Sequence, residues 1–145
     1  MSILLPPGAG TTHPFLGTTM TVKTAAPEVT LIECECPPGF ATPRHIHQHD
    51  DEAFYLLSGT ILVRHDDQKW DAGPGSFVLL DRGREHAFAV TSAEPVRLLQ
   101  LTWPGGFERF AAAVAALPPG SLDPMRLTQI GAEHGYEITG PPEYH

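Results

Sequence analysis

Short runs of alternating apolar and polar residues dominate the first two thirds of the chain. Thr18 to Thr24 alternates, and Val29 to Cys36 places Ile32, Cys34 and Cys36 on one face. Further runs span Glu52 to Leu57, Thr60 to His65, Ser76 to Leu80, Ala87 to Thr91 and Val96 to Thr102. A period of two is the signature of strands with one buried face. The 14 glycines and 15 prolines are spread between these runs. Many short strands separated by turn residues predict an all-β sandwich or barrel. Ser58-Gly59-Thr60 and His65-Asp66-Asp67-Gln68 read as hairpin connections. Residues 1–17, interrupted by prolines, read as an extended N-terminal arm.

The period changes after Pro104. Phe107, Phe110, Val114 and Leu117 recur at helical spacing, and Pro118-Pro119-Gly120 closes the segment. Asp123 then reads as an N-cap, with Pro124 at the first helical position and Gly135 as the terminating glycine. Leu127 and Ile130 share the apolar face of this second segment. The expectation is a β domain, core about 20–103, followed by one or two helices within 105–135. These helices cover a sheet face or a dimer seam, and with the terminal arm they suggest a homodimer.

Composition narrows the functional classes. At 145 residues the chain is one domain, long enough to bury a core without disulfides. The formal net charge is -8, so no basic surface is available to release counterions from a phosphate backbone, and nucleic acid is not an expected partner. No apolar run approaches the length of a membrane span, and Met1 to Pro7 lacks the basic start of a signal peptide. Cys34 and Cys36 point to one face of a strand and read as small buried hydrophobes. A cytoplasmic location follows as the expectation.

The chemistry concentrates in His45-Ile46-His47-Gln48-His49-Asp50-Asp51-Glu52. On a strand, His45 and His47 face the same side with Cα atoms about 7 Å apart. Their imidazole nitrogens can then converge on one ion at about 2.0–2.1 Å. Glu52 opens the next strand and supplies an oxygen. His86 is the natural fourth ligand, because it shares parity with Phe88 and Val90 at the start of another β run. His49 shares the parity of His45 and His47, but sits nearer the loop and is ranked outside the ligand set. His13, His65, His134 and His145 are isolated and read as surface or satisfied core residues. Glu85 adjoins His86 but faces the other way, and is expected outside, paired with Arg82 or Arg84.

Residues 39–59 resemble the first cupin motif, G-x5-H-x-H-x4-E-x6-G, at every fixed position. Residues 75–90 resemble the second, G-x5-P-x-G-x2-H-x3-N, with Asp81 in place of proline and Val90 in place of asparagine. The resemblance implies a single-domain cupin, a jelly-roll or double-stranded β-helix barrel, with the metal held inside by His45, His47, Glu52 and His86. Asp51 to Gly59, Ala72 to Phe77, Pro104 to Phe110 and His134 to Pro142 are also similar to the small quercetin-dioxygenase-like cupins.

Three imidazoles and one carboxylate leave up to two positions open on a six-coordinate divalent ion. Fe, Mn, Co, Ni or Cu suits such a site, and zinc is compatible with it. An apolar wall formed by Phe54, Phe77, Phe88 and Val90 would take a flat, enolisable aromatic molecule. The expected activity is that of a quercetin 2,3-dioxygenase-like oxidoreductase using dioxygen, with Glu52 as the catalytic base. A non-oxidative cyclase or isomerase and a metal-dependent small-molecule binding module are the alternatives.

Overall fold

The computed structural model describes residues 2–144. His145 lies outside them. Eleven strands form two antiparallel sheets that face each other. In chain order the strands are β1 (Thr11–Phe15), β2 (Thr18–Ala25), β3 (Thr30–Cys36), β4 (Arg44–His47), β5 (Asp51–Ser58), β6 (Ile61–His65), β7 (Gln68–Ala72), β8 (Phe77–Leu80), β9 (Glu85–Val90), β10 (Val96–Trp103) and β11 (Tyr136–Gly140). One sheet runs β1-β2-β3-β10-β5-β8, and the other β11-β4-β9-β6-β7. Helices α1 (Phe107–Ala115) and α2 (Pro124–Glu133) stand between β10 and β11. This is the jelly-roll expected from the sequence, with both helices.

The alternation in the sequence becomes the core. Ile32, Cys34 and Cys36 on β3, Phe54 and Leu56 on β5, Ile61 and Val63 on β6, and Val96 and Leu98 on β10 all turn inward and are buried. Cys34 and Cys36 are free thiols within this core. Asp123 caps α2 by accepting a hydrogen bond from the Arg126 amide at 2.8 Å, with Pro124 in the first turn. No helix among the described residues is long and apolar enough to cross a membrane.

Several connections differ from expectation. The proposed arm contains β1, which pairs with β2 through a two-residue turn, Leu16-Gly17, at φ 54 and 89. Left-handed turns of this kind usually announce themselves through Asn or Asp, and leucine conceals this one. Phe15 then buries its ring edge-on to Phe110, at 5.4 Å between centroids. Ser58-Gly59-Thr60 does not close a hairpin, because β5 and β6 belong to different sheets. A Cβ on Gly59 would meet Val96 Cγ2 at 2.7 Å, so this crossing passes too close to β10 for any side chain. The His65–Gln68 turn is a hairpin, joining β6 to β7 with Asp66 at φ 51. Edge strand β7 was concealed by its composition, since four of its five residues are exposed and polar or amphipathic. The helices turn their apolar faces inward: Phe107, Phe110 and Val114 of α1 and Leu127 and Ile130 of α2 are buried. Those faces are therefore unavailable as a seam to another copy.

Candidate metal centre

The centre lies where the two sheets face each other. β4 contributes His45 and His47, and β9 contributes His86, opposite His45 in register. Glu52 comes from β5 in the other sheet. Strand parity brings all four inward, and one ligand atom from each lies within 4.8 Å of the others. The imidazole centroids are 4.3 Å apart for His45 and His86, 5.0 Å for His47 and His86, and 5.2 Å for His45 and His47. His47, Glu52 and His86 are buried, and His45 is partly buried. His49 is exposed and outside the cluster.

His45 and His47 are oriented by what their other nitrogen does, while His86 Nδ1 is buried without a hydrogen-bond partner. His45 Nδ1 donates to the Pro43 carbonyl at 2.8 Å, which leaves Nε2 as the lone-pair nitrogen. His47 Nδ1 donates to Asp50 Oδ1 at 2.7 Å. Its Nε2 is buried without a hydrogen-bond partner, 3.6 Å from Glu52 Oε1. His86 Nε2 sits 3.0 Å from the same oxygen. Buried polar atoms are seldom left unpaired, and an orphaned nitrogen beside a carboxylate and two more imidazoles is a donor set for a borderline divalent ion. The residues present fit such an ion.

A second layer fixes these groups, and sequence reasoning missed it. Buried Asp50 also accepts a hydrogen bond from the Tyr136 hydroxyl at 2.8 Å, giving a chain Tyr136–Asp50–His47. Tyr136 begins β11, which pairs with β4. Burial and the Asp50 charge raise the Tyr136 pKa, so the hydroxyl stays a donor. On the other sheet, the Gln100 amide donates to Glu52 Oε2, and the Cys34 thiol faces Gln100 Oε1 at 3.5 Å. Outer partners of this kind typically hold about 10–100-fold in metal affinity. Asp50→Asn is accordingly expected to weaken metal binding by about that factor, with Tyr136→Phe smaller. Competition against a chromophoric chelator measures both, and unchanged affinity in Asp50→Asn would remove Asp50 from this role.

The charges of the centre are coupled. Burial, reinforced by His86 and His47, brings the His45 pKa down to about 3. Burial opposes ionisation of Glu52, but the charge of His47 and the hydrogen bond and charge of His86 outweigh it, and its pKa falls to about 2. Burial likewise works against protonated His47, but Glu52 and Asp50 prevail and raise it. The signs of linkage follow. His45 and Glu52 bind fewer protons folded than unfolded, so their contributions are complete above 6.5 and 4.5 and fade as pH falls toward 3 and 2. The His47 contribution is complete below 6.5 and fades at higher pH. The metal-free protein is thus expected to lose thermal stability on acidification below pH 6.5, with the midpoint measured across pH 3 to 7. A flat profile in that window contradicts the arrangement.

An apolar chamber opens onto His45 and Glu52. Together with the open solvent at its mouth it spans about 680 Å³ of empty space. Phe54 and Phe88 line it, tilted steeply to each other with centroids 5.2 Å apart, and Phe107 and Phe110 of α1 close one side. Two expected wall residues lie elsewhere. Phe77 is 62 % exposed, because Val78 and Leu80 take the inward parity of β8. Val90 is buried opposite Ile61 but does not border the chamber. Glu85 faces out as expected, yet its partners are Thr139 at 2.6 Å and Arg44 at 3.9 Å. Arg82 pairs with Asp51 and Arg84 with Asp66.

Residues 32–102 match the family model described as Cupin domain. The fold is the cupin jelly-roll. No match was found among curated proteins. Solved structures share the cupin fold at low identity. The polyketide cyclase RemF from Streptomyces resistomycificus superposes with a TM-score of 0.64 at 22% identity, covering 72% of this chain and 80% of that one. KdgF from Halomonas sp. gives 0.60 at 18%, covering 64% and 85%. A sugar phosphate isomerase of the cupin superfamily from Silicibacter pomeroyi gives 0.55 at 18%, covering 60% and 59%. At these identities the likeness concerns the fold.

Proposed function

We infer that this cupin is a metal-dependent enzyme that deprotonates an enolisable small molecule, most simply a flavonol-like compound that it opens with dioxygen. The position of Glu52 carries the reading. One carboxylate oxygen faces His47 and His86, the other is held by Gln100, and the group opens onto the apolar chamber. A bound divalent ion would supply Lewis acidity that lowers the pKa of the substrate hydroxyl, and a centre at which dioxygen can be engaged. Glu52, ionised at neutral pH, takes the hydroxyl proton. Phe54 and Phe88 hold the ring, and α1 keeps water from the far side. Anaerobic addition of quercetin to iron-, manganese- or nickel-loaded protein is expected to red-shift its absorption, and admitting air should consume oxygen at an electrode. If neither quercetin nor a simple 1,3-diketone perturbs the loaded protein, the reading fails.

The second reading is a non-oxidative cyclase or isomerase. It draws on the same carboxylate: Glu52, fixed by Gln100, could return the proton to a different carbon without any oxidant. The fold likeness to the polyketide cyclase RemF adds to it. Product formation without oxygen uptake would decide for this reading.

The same proposal takes a second copy of the chain as partner and the reducing cytosol as location. Tyr55, Leu57, Phe77 and Leu79 expose apolar side chains from β5 and β8 on one outer sheet face, with Tyr55 directly opposite Phe77. Contiguous exposed apolar surface marks a contact site. Phe77→Asp is expected to halve the mass measured by light scattering. A wild-type mass of one chain would rule the homodimer out.

A further inference from the structure

The chamber has an antechamber. Outside it, the first half of α2, the loop before β4 and the chain after β11 flank an outer groove that spans about 1320 Å³ including open solvent. Leu122, Pro124, Pro141 and Pro142 line it. Leu16, Phe40, Pro43, Leu127 and Ile138 border both spaces and form the ring between them. The groove therefore abuts the chamber that opens onto Glu52 and His45, and its lining is mostly apolar.

Most polar side chains along this path are already engaged, with Tyr144 exposed at the outer end of the groove. In the groove, Asp123 caps α2, Thr128 donates to the Pro124 carbonyl at 2.8 Å, and Thr139 donates to Glu85 at 2.6 Å. In the chamber, Thr18 donates to the Phe15 carbonyl at 2.6 Å, and Thr42 accepts from the Phe88 amide at 3.0 Å. Gln100 and Tyr136 hold Glu52 and Asp50. No lysine or arginine borders either space. Among the described residues, polar recognition is thus concentrated at the metal end. A substrate phosphate placed further out would meet the Asp123 carboxylate and no lysine or arginine, which disfavours binding.

We propose that the substrate is one-ended: a chelating, enolisable head at the metal centre and an extended, uncharged apolar tail that passes the Leu16–Ile138 ring into the outer groove. The proposal rests on the reading of Glu52 and the metal under Proposed function, and adds the class of molecule that reading leaves open. Phosphorylated compounds are excluded as substrates. Longer acyl or linear multi-ring compounds are favoured over a compact ring alone.

The test uses manganese-loaded protein and 1,3-diketones that share one head and carry linear alkyl tails of increasing length, from acetylacetone upward. Their Kd values are read by calorimetry, with the absorption of a nickel-loaded sample reporting head contact. The expected result is a Kd falling by about tenfold or more over the first several methylenes, then levelling off where the groove ends. Leu122→Asp should shrink the ratio between long-tailed and short-tailed Kd values, a ratio in which any general loss of binding cancels. If Leu122→Asp does not fold, as judged by circular dichroism, the wild-type length series decides alone. Acetylacetone that perturbs the metal while tail length leaves Kd flat would overturn the one-ended substrate and leave the role of Glu52 standing. Tighter binding of glucose 6-phosphate than of any diketone would also overturn it. If no diketone of any length perturbs the metal, this inference falls, and if quercetin fails as well the reading of the centre falls with it.

Discussion

Glu52→Gln is expected to reduce turnover of the enolisable substrate by about 10²–10⁴-fold, the range of a positioned general base, while metal binding weakens by less. The substitution keeps the shape of the side chain and removes its capacity to take a proton. The three imidazoles remain to hold an ion, and His45, with its pKa near 3, is already in the neutral, ligating form at physiological pH. The local change is not silent. Gln100 donates its amide to Glu52 Oε2, and Cys34 faces the amide oxygen of Gln100, so a glutamine at position 52 must present its own oxygen to Gln100. Its amide nitrogen then points toward His47 and His86, where the carboxylate oxygen stood. Some metal affinity is lost for that reason. Metal content by elemental analysis and turnover on the same sample separate the two roles. Turnover falling far more than metal assigns Glu52 the proton. Parallel losses make it a ligand only, and full activity removes it from the chemistry.

The clustering of the four residues was legible because their spacing encodes strand parity. His45 and His47 two apart, and His86 in step with Phe88, become inward positions once the strands form. The glycines around them were legible for a related reason: Gly39, Gly59, Gly75 and Gly83 all adopt positive φ, between 78 and 86, where a side chain strains the backbone. The departure at Asp81 proved harmless to the turn, since Gly83 still donates its amide to the His47 carbonyl at 2.8 Å. What supports the ligands was hidden. Tyr136 meets Asp50 across 86 positions and Gln100 meets Glu52 across 48, and no local period reports such distances. Asp50 had a local signal, a carboxylate three residues after a ligand histidine, but it was masked by Asp51 and Glu52 as part of an acidic run. Phe77 shows the reverse failure. A phenylalanine in a short apolar run carries no parity of its own, and Val78 and Leu80 took the inward face.

His86→Ala is expected to reduce metal affinity by more than the 10–100-fold of an outer partner, leaving the purified protein substoichiometric by elemental analysis. His86 is the informative residue of the cluster because the motif around it is the incomplete one, and because it lies between two strands, opposite His45 on β4 and His65 on β6. Its Nε2 is 3.0 Å from Glu52 Oε1, so its removal takes away both a ligand and the group that helps hold the Glu52 carboxylate ionised. The metal-free variant should accordingly show a higher Glu52 pKa than the wild-type value near 2, visible as a shift of the acid limb of its stability profile toward neutral pH. His49→Ala provides the contrast. His49 is exposed and outside the cluster, and its removal should leave metal content unchanged. Equal metal loss in both variants would mean that the ion is held by the loop between β4 and β5 rather than by the four inward residues. Full metal retention in His86→Ala would reduce the centre to His45, His47 and Glu52.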